Sequence, residues 1–258
     1  MRITALAENT AADHRFGREH GLSLYISRGE QKILFDMGQT GLFWENAQKL
    51  GIDLAEVEVA VLSHGHYDHG GGLARFLKGN CHARVFVSQY AFQPHYHGPD
   101  RYIGLDPSLA GSSRLKLAGD YEALGSGLAL YSCNQAARKH DLGSWGLETE
   151  EEGVLVPDDF RHEQYLLAEE GDRRILFSGC SHKGILDIVD WFRPHVLIGG
   201  FHFSKLPLGE ELAEYARYLN SFATEFYTCH CTGLPQFAYM SQWMDRLHYL
   251  AAGQTIEI

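Results

Sequence analysis

The sequence predicts an α/β fold: two β-rich halves, each with helices, that form two sheets packed face to face with helices outside and strand ends gathered on one edge. Two observations carry this expectation. A hairpin with a turn glycine occurs twice, so that Ile33-Leu34-Phe35 recurs as Ile175-Leu176-Phe177 at a constant offset of 142 residues. Each copy leads into a helical stretch and then into an apolar strand that ends in histidine.

In chain order, residues 22–38 alternate apolar and polar, turn at Arg28-Gly29-Glu30 and resume as a second strand, which is a β-hairpin. A helix follows over 41–50, then a strand over 59–63 that breaks into His64-Gly65-His66-Tyr67-Asp68-His69-Gly70. Residues 93–127 are rich in Pro, Gly and Ser and read as a long surface excursion, of the kind used as a lid or substrate wall. The second hairpin occupies 166–179, its helix 184–192 and its apolar strand 195–202, which ends at His202. A third apolar strand over 225–229 breaks into His230-Cys231-Thr232-Gly233. Residues 235–252 read as an amphipathic helix with Phe237, Met240, Met244, Leu247 and Leu250 as core contacts. The whole chain, 1–258, reads as one domain, because its length and 45% hydrophobic content supply a core of adequate size.

Charge and composition narrow the partners. A formal charge of −11 argues against a nucleic-acid phosphate surface, which needs clustered Lys and Arg. The start lacks a signal-peptide apolar region and no apolar run approaches a membrane span, so the expectation is a soluble, cytoplasmic protein without a membrane partner. Of five cysteines, Cys81 and Cys133 read as buried small hydrophobes, while Cys180, Cys229 and Cys231 sit beside histidines in loops; no disulfide framework is expected.

The run from His64 to His69 places three histidines and an aspartate within six residues, which points to a divalent metal. In an extended loop, His64 and His66 point the same way and can share one ion, while Asp68 and His69, past the turn at Tyr67, can address a second. Neutral imidazole and carboxylate suit zinc, manganese or iron alike; zinc is the first expectation, at one or two ions per chain, with manganese or iron(II) as alternatives. Two ions roughly 3.5–4 Å apart can share a hydroxide nucleophile at neutral pH, which suits hydrolysis of an ester or phosphodiester. The histidines that follow predicted strands supply further ligands: His230 first, then His182, with Cys180 as a softer candidate. His202 reads as substrate-facing or supporting, with His20 and Lys205 as substrate contacts and Asp68 as a group that orients the nucleophile. His162, His20 and Asp36 are candidates to hydrogen-bond ligands or substrate.

His64, His66, Asp68 and His69 match without a gap the His-x-His-x-Asp-His signature of the metallo-β-lactamase superfamily, which the chain resembles. Residues 20–38 resemble that fold's opening strands, with Asp36 at its buried aspartate. Gly179-Cys180-Ser181-His182, Gly199-Gly200-Phe201-His202 and His230-Cys231-Thr232-Gly233 resemble the subgroup of dihydropterin ribofuranosylaminobenzene phosphate synthase proteins. The resemblance implies a four-layer αββα sandwich, makes His230 the last metal ligand, and is compatible with a pterin-related phosphate synthase. Two departures stand out: a Gly-His-Thr-Pro-Gly-like segment is absent, and Cys180 occupies the place of the metal-bridging aspartate, which would weaken the second ion's site.

The leading expectation is a metal-dependent hydrolase acting on a small, anionic phosphorylated or ester-bearing metabolite, with hydroxide generated at the metal as nucleophile. The alternative is a metal-bound metabolite sensor that does not catalyse. Iron-dependent redox chemistry is a third reading, disfavoured because no flavin domain or full acidic ligand set is visible.

Overall fold

Strand-forming segments end where glycine or a polar turn intervenes, and the computed structural model, which describes Met1–Ile258, follows those breaks. In chain order the elements begin with β1 (Arg2–Ala7), β2 (Ser23–Arg28), β3 (Gln31–Phe35), α1 (Leu42–Lys49), β4 (Val59–Val61), α2 (Tyr67–Gly70), α3 (Leu73–Gly79) and β5 (Arg84–Ser88). Next come β6 (His95–His97), β7 (Leu115–Ala118), β8 (Tyr121–Gly125), β9 (Leu128–Tyr131), β10 (Leu147–Glu151), β11 (Val154–Pro157), β12 (Tyr165–Glu170) and β13 (Arg173–Ser178). The chain closes with α4 (Ile185–Phe192), β14 (Val196–Gly199), α5 (Glu210–Asn220), β15 (Glu225–Thr228), α6 (Leu234–Met240), β16 (Leu247–Tyr249) and β17 (Thr255–Glu257).

Two compact units result. The first comprises Met1–Gly119, Ser144–Gln164 and Ala251–Ile258, and holds a seven-stranded sheet in the order β17-β1-β2-β3-β4-β5-β7 with a small sheet β11-β10-β6. Its hairpin β2–β3 is antiparallel, and β3, β4, β5 and β7 then run parallel. Parallel strands buried on both faces read as unbroken apolar runs, as Val59-Ala60-Val61 does. The core under this sheet joins Phe43, Trp44 and Ala47 of α1 and Leu73 and Phe76 of α3 to Leu34, Ala60, Leu62, Val85 and Val87.

The second unit comprises Asp120–Gly143 and Tyr165–Leu250, with a seven-stranded sheet β16-β15-β14-β13-β12-β9-β8. Again an antiparallel hairpin, β12–β13, is followed by parallel strands β14, β15 and β16. The repeat seen in the sequence is therefore a repeat of topology. Both hairpins turn on a left-handed glycine in the first loop position, Gly29 at φ +58° and Gly171 at φ +59°, the conformation a tight two-residue hairpin asks of that position.

Three sequence readings need correction. Residues 93–127 are not a bare excursion: β6 pairs with β10, β7 extends the first sheet beside β5, and β8 pairs with β9. In β7 only Leu115 and Ala118 are buried while Lys116 and Leu117 face solvent, so no two-residue alternation marks it. The helix expected over 235–252 stops at Met240, and Leu247–Tyr249 instead adds a parallel edge strand to β15. The apolar spacing there is helical, but the Asp245 amide donates to the Asn220 side chain and Phe226 donates to the Arg246 carbonyl, pairings that local periodicity does not reveal. Cys81 is exposed and Cys133 half-buried, so neither is a core residue.

Candidate metal centre

In the first unit the histidine run begins where β4 ends. Asp36, just past β3, is fully buried in a left-handed conformation (φ +60°), and its carboxylate organises the run. Oδ1 accepts from the Ser63 amide at 2.7 Å, and Oδ2 accepts from Ser63 Oγ at 2.7 Å and from His69 Nδ1 at 2.7 Å. Because the Ser63 hydroxyl spends its proton on Asp36, its oxygen accepts from His64 Nδ1 at 2.8 Å. Both rings are thereby fixed in the tautomer that leaves a lone pair on Nε2, the state of a metal-ligating histidine backed by a carboxylate. The two ring centroids lie 4.1 Å apart.

His66 is also buried, and burial first, then neighbouring His162 and His95, holds its pKa well below the ordinary value, so the ring is neutral. Asp68 sits in the first turn of α2, with Oδ2 3.2 Å from His20 Nε2 and 3.9 Å from His69 Nε2. His20 itself is exposed, and Asn9 Nδ2 meets its Nδ1 at 3.4 Å. The close passage of the loop requires glycine at position 65, where a Cβ would come within 2.2 Å of the Ala91 carbonyl oxygen. The region 93–127 supports the run directly, since the Tyr67 amide donates to the Ile103 carbonyl at 2.9 Å.

A second carboxylate stands behind this loop. Asp158 accepts at Oδ2 from His95 Nδ1 (2.9 Å) and His162 Nε2 (3.3 Å), and at Oδ1 from the Phe160 amide (2.7 Å). His162 Nδ1 accepts the Gly65 amide at 2.9 Å, so its single proton must lie on Nε2 and its ring bridges Asp158 to the signature loop. Burial would raise the Asp158 carboxyl, but His162 and His95 outweigh it and hold it well below the usual carboxylate range. Burial and then His162 bring His95 down to about 4, so an ionised carboxylate sits against a neutral His95 ring. His66, His95, Asp158 and His162 place donor atoms within 4.8 Å of one another. Sequence reasoning singled out His162 only as a possible hydrogen-bonding partner and missed Asp158 and His95; the readable signal was the Asp-x-x-x-His spacing just before β12.

In the second unit the donors cluster at the ends of β13, β14 and β15. Cys180, His182 and His202 form one donor group, and Cys180, His230 and Cys231 another, each with donor atoms within 4.8 Å of one another. The ring centroids of His182 and His202 lie 4.4 Å apart with the planes inclined at 52°. Backbone bonds lace the loops together: Gly200 N–H donates to Gly179 O at 2.9 Å, Phe201 N–H to Thr232 Oγ1 at 2.9 Å, and His202 N–H to Cys231 Sγ at 3.3 Å. Burial pushes the Cys231 thiol up, yet hydrogen bonds from Cys180 and His202 with the nearby charges of His230 and His202 bring it well below its usual value. Lys205 is exposed on the turn that follows β14.

Neutral, tautomer-fixed imidazoles beside carboxylates are the donor chemistry a divalent ion requires, so the first-unit residues fit a metal.

Comparison with known proteins decides the family. The model of the metallo-β-lactamase superfamily matches residues 16–221. The chain belongs to the metallo-β-lactamase superfamily. This metallo-β-lactamase-fold chain is 28% identical over 265 residues to an uncharacterized protein of Methanocaldococcus jannaschii, covering 99% of this chain and 100% of that protein. It is 26% identical over 298 residues to the 7,8-dihydropterin-6-methyl-4-(beta-D-ribofuranosyl)-aminobenzene-5'-phosphate synthase of the same organism, covering 100% of this chain and 96% of that one. A crystal structure described as a metal-dependent hydrolase of the beta-lactamase superfamily superposes with a TM-score of 0.84 at 29% identity, over 100% of this chain and 99% of that one. Zn(2+)-bound PqqB from Methylobacterium extorquens, at a TM-score of 0.60 and 12% identity over 100% of both chains, shares the fold alone.

Proposed function

We propose that the protein is a metal-dependent hydrolase acting on a small anionic metabolite that carries a phosphate or ester group. The observation that carries this reading is the pair His64 and His69, both fixed by Asp36 and Ser63 with Nε2 left to bind. His64, His66, Asp68 and His69 are the proposed ligands of the first unit, with His182, His230 and Cys180 proposed from the second and zinc as the preferred ion. A bound divalent ion supplies Lewis acidity and lowers the pKa of water, which is the chemistry hydrolysis needs.

The chain's own residues do the rest. Asp36 holds two rings in the binding tautomer, and Asp158, through His162, holds the Gly65 amide and so the loop. Asp68 is placed to take a proton from an attacking water, with the exposed His20 Nε2 3.2 Å from its carboxylate. His202, Lys205 and His20 are the proposed contacts to the substrate's anionic group. The family resemblance to a pterin-related phosphate synthase favours a phosphorylated, ring-bearing substrate. Turnover of a panel of phosphodiesters, phosphomonoesters, lactones and thioesters tests the reading: His66→Ala must lose both metal and turnover. Metal loading with tight metabolite binding and no turnover across the panel would instead establish a non-catalytic sensor.

A further inference from the structure

We infer that the second unit builds a thiolate metal site from Cys180, Cys231 and His230, one that selects a borderline-soft divalent ion such as zinc over hard ions. The inference deepens the metal reading above and rests on it for Cys180 and His230. It adds Cys231, a residue that neither the signature nor the sequence-derived ligand set contains.

The three donors lie within 4.8 Å of one another and are buried, at 2%, 5% and 1% exposure for Cys180, Cys231 and His230. Two thiols and an imidazole this close together form a donor set that carboxylate- and water-loving cations reject and zinc accepts, and the Cys231 thiol, 3.5 Å from the Cys180 carbonyl oxygen, would release its proton on binding. The backbone is shaped around the sulfur. His202 N–H points at Cys231 Sγ at 3.3 Å, the kind of amide donation that supports a ligating thiolate, and Ser204 N–H holds the Cys231 carbonyl at 3.0 Å. Gly200 leaves the space the sulfur fills, since a Cβ there would come within 2.3 Å of Cys231 Sγ.

Each loop that presents this cluster also contains a non-glycine residue in the left-handed region: Ser181 at φ +59°, His202 at +57° and His230 at +50°. A buried thiol acting only as a small hydrophobe needs no such backbone, and conformations of this kind persist where surrounding structure imposes them, most often at functional sites. On loading, the two thiols release their protons to solvent and both sulfurs bind as thiolates.

The test uses the full chain loaded with cobalt(II) or zinc. Cobalt-loaded protein is expected to show a near-ultraviolet thiolate-to-metal charge-transfer band that Cys231→Ser and Cys180→Ser each weaken, that the double variant abolishes and that Cys81→Ser leaves unchanged. X-ray absorption at the zinc edge needs no variant: sulfur at about 2.3 Å supports the site, and nitrogen and oxygen neighbours alone at about 2.0–2.1 Å overturn it. A charge-transfer band of undiminished intensity in Cys231→Ser also overturns it. His64→Ala separates the two readings: if that variant keeps its full metal content while the thiolate band stands, the hydrolase centre of the first unit fails and the thiolate site does not.

Discussion

Behind the histidines of the first unit stand carboxylates: Asp36 under His64 and His69, and Asp158 between His95 and His162. In the second unit the donors rest on the backbone: an amide on Cys231, a threonine hydroxyl under Phe201, and left-handed residues at Ser181, His202 and His230. The two solutions fail differently. Order imposed by a buried charge is lost when that charge is removed or its partners titrate, whereas order imposed by backbone shape is lost when the chain's path is altered.

The largest expected effect follows from deleting the first carboxylate. Asp36→Ala strips the Ser63 amide, the Ser63 hydroxyl and His69 of their buried acceptor, and should cost about 3–5 kcal/mol in urea unfolding. Metal affinity should fall about 10–100-fold in the same variant, read by chelator competition. An effect below about 1 kcal/mol would mean that the Asp36 hydrogen bonds are not what holds the run.

The same contrast predicts an acid-side pH dependence carried by His95 of the first unit's network. His95 is lowered to about 4, below its unfolded value near 6.5, so between those values the unfolded chain binds the extra proton. Stability of the metal-free protein should therefore rise as pH climbs from about 4 to about 6.5, on the order of 3 kcal/mol from this ring, and be lost as pH falls through the same window. His95→Asn should flatten that limb, and an unchanged slope in the variant would remove His95 from its cause.

Backbone changes should cost both units alike and separate them only by the thiol readout. Gly200→Ala brings a methyl against Cys231 Sγ and should cost about 1–3 kcal/mol while shifting any thiol-sensitive spectrum. Gly65→Ala meets the Ala91 carbonyl and should cost a similar amount with no change in thiol reactivity. The smallest effect belongs to Lys205→Ala, an exposed side chain: within about 0.5 kcal/mol in stability, with KM raised and kcat little changed if it meets the substrate.

Much of this was legible in the chain itself. Both hairpins, α1, α4 and the strands β4, β14 and β15 follow from alternation, turn glycines and apolar runs, signals that lie within a few residues of one another. The signature run announced its own chemistry because its donors are sequence neighbours. Asp158 and His95 did not, since 63 residues separate them and only pairing of β6 with β10 brings that part of the chain together. Cys231 was passed over because its environment comes from His202 and Gly200, on a different strand end. The edge strand β16 was masked by helical spacing that tertiary pairing overrode.

The most direct test of a metal centre on the histidine run is elemental analysis of the full chain purified without added metal, wild type beside His66→Ala. The expected result is about one to two equivalents of a transition metal, zinc foremost, in the wild type and about one fewer in the variant, with turnover lost. Wild-type protein free of metal yet active, or a His66→Ala variant with undiminished metal, would contradict it.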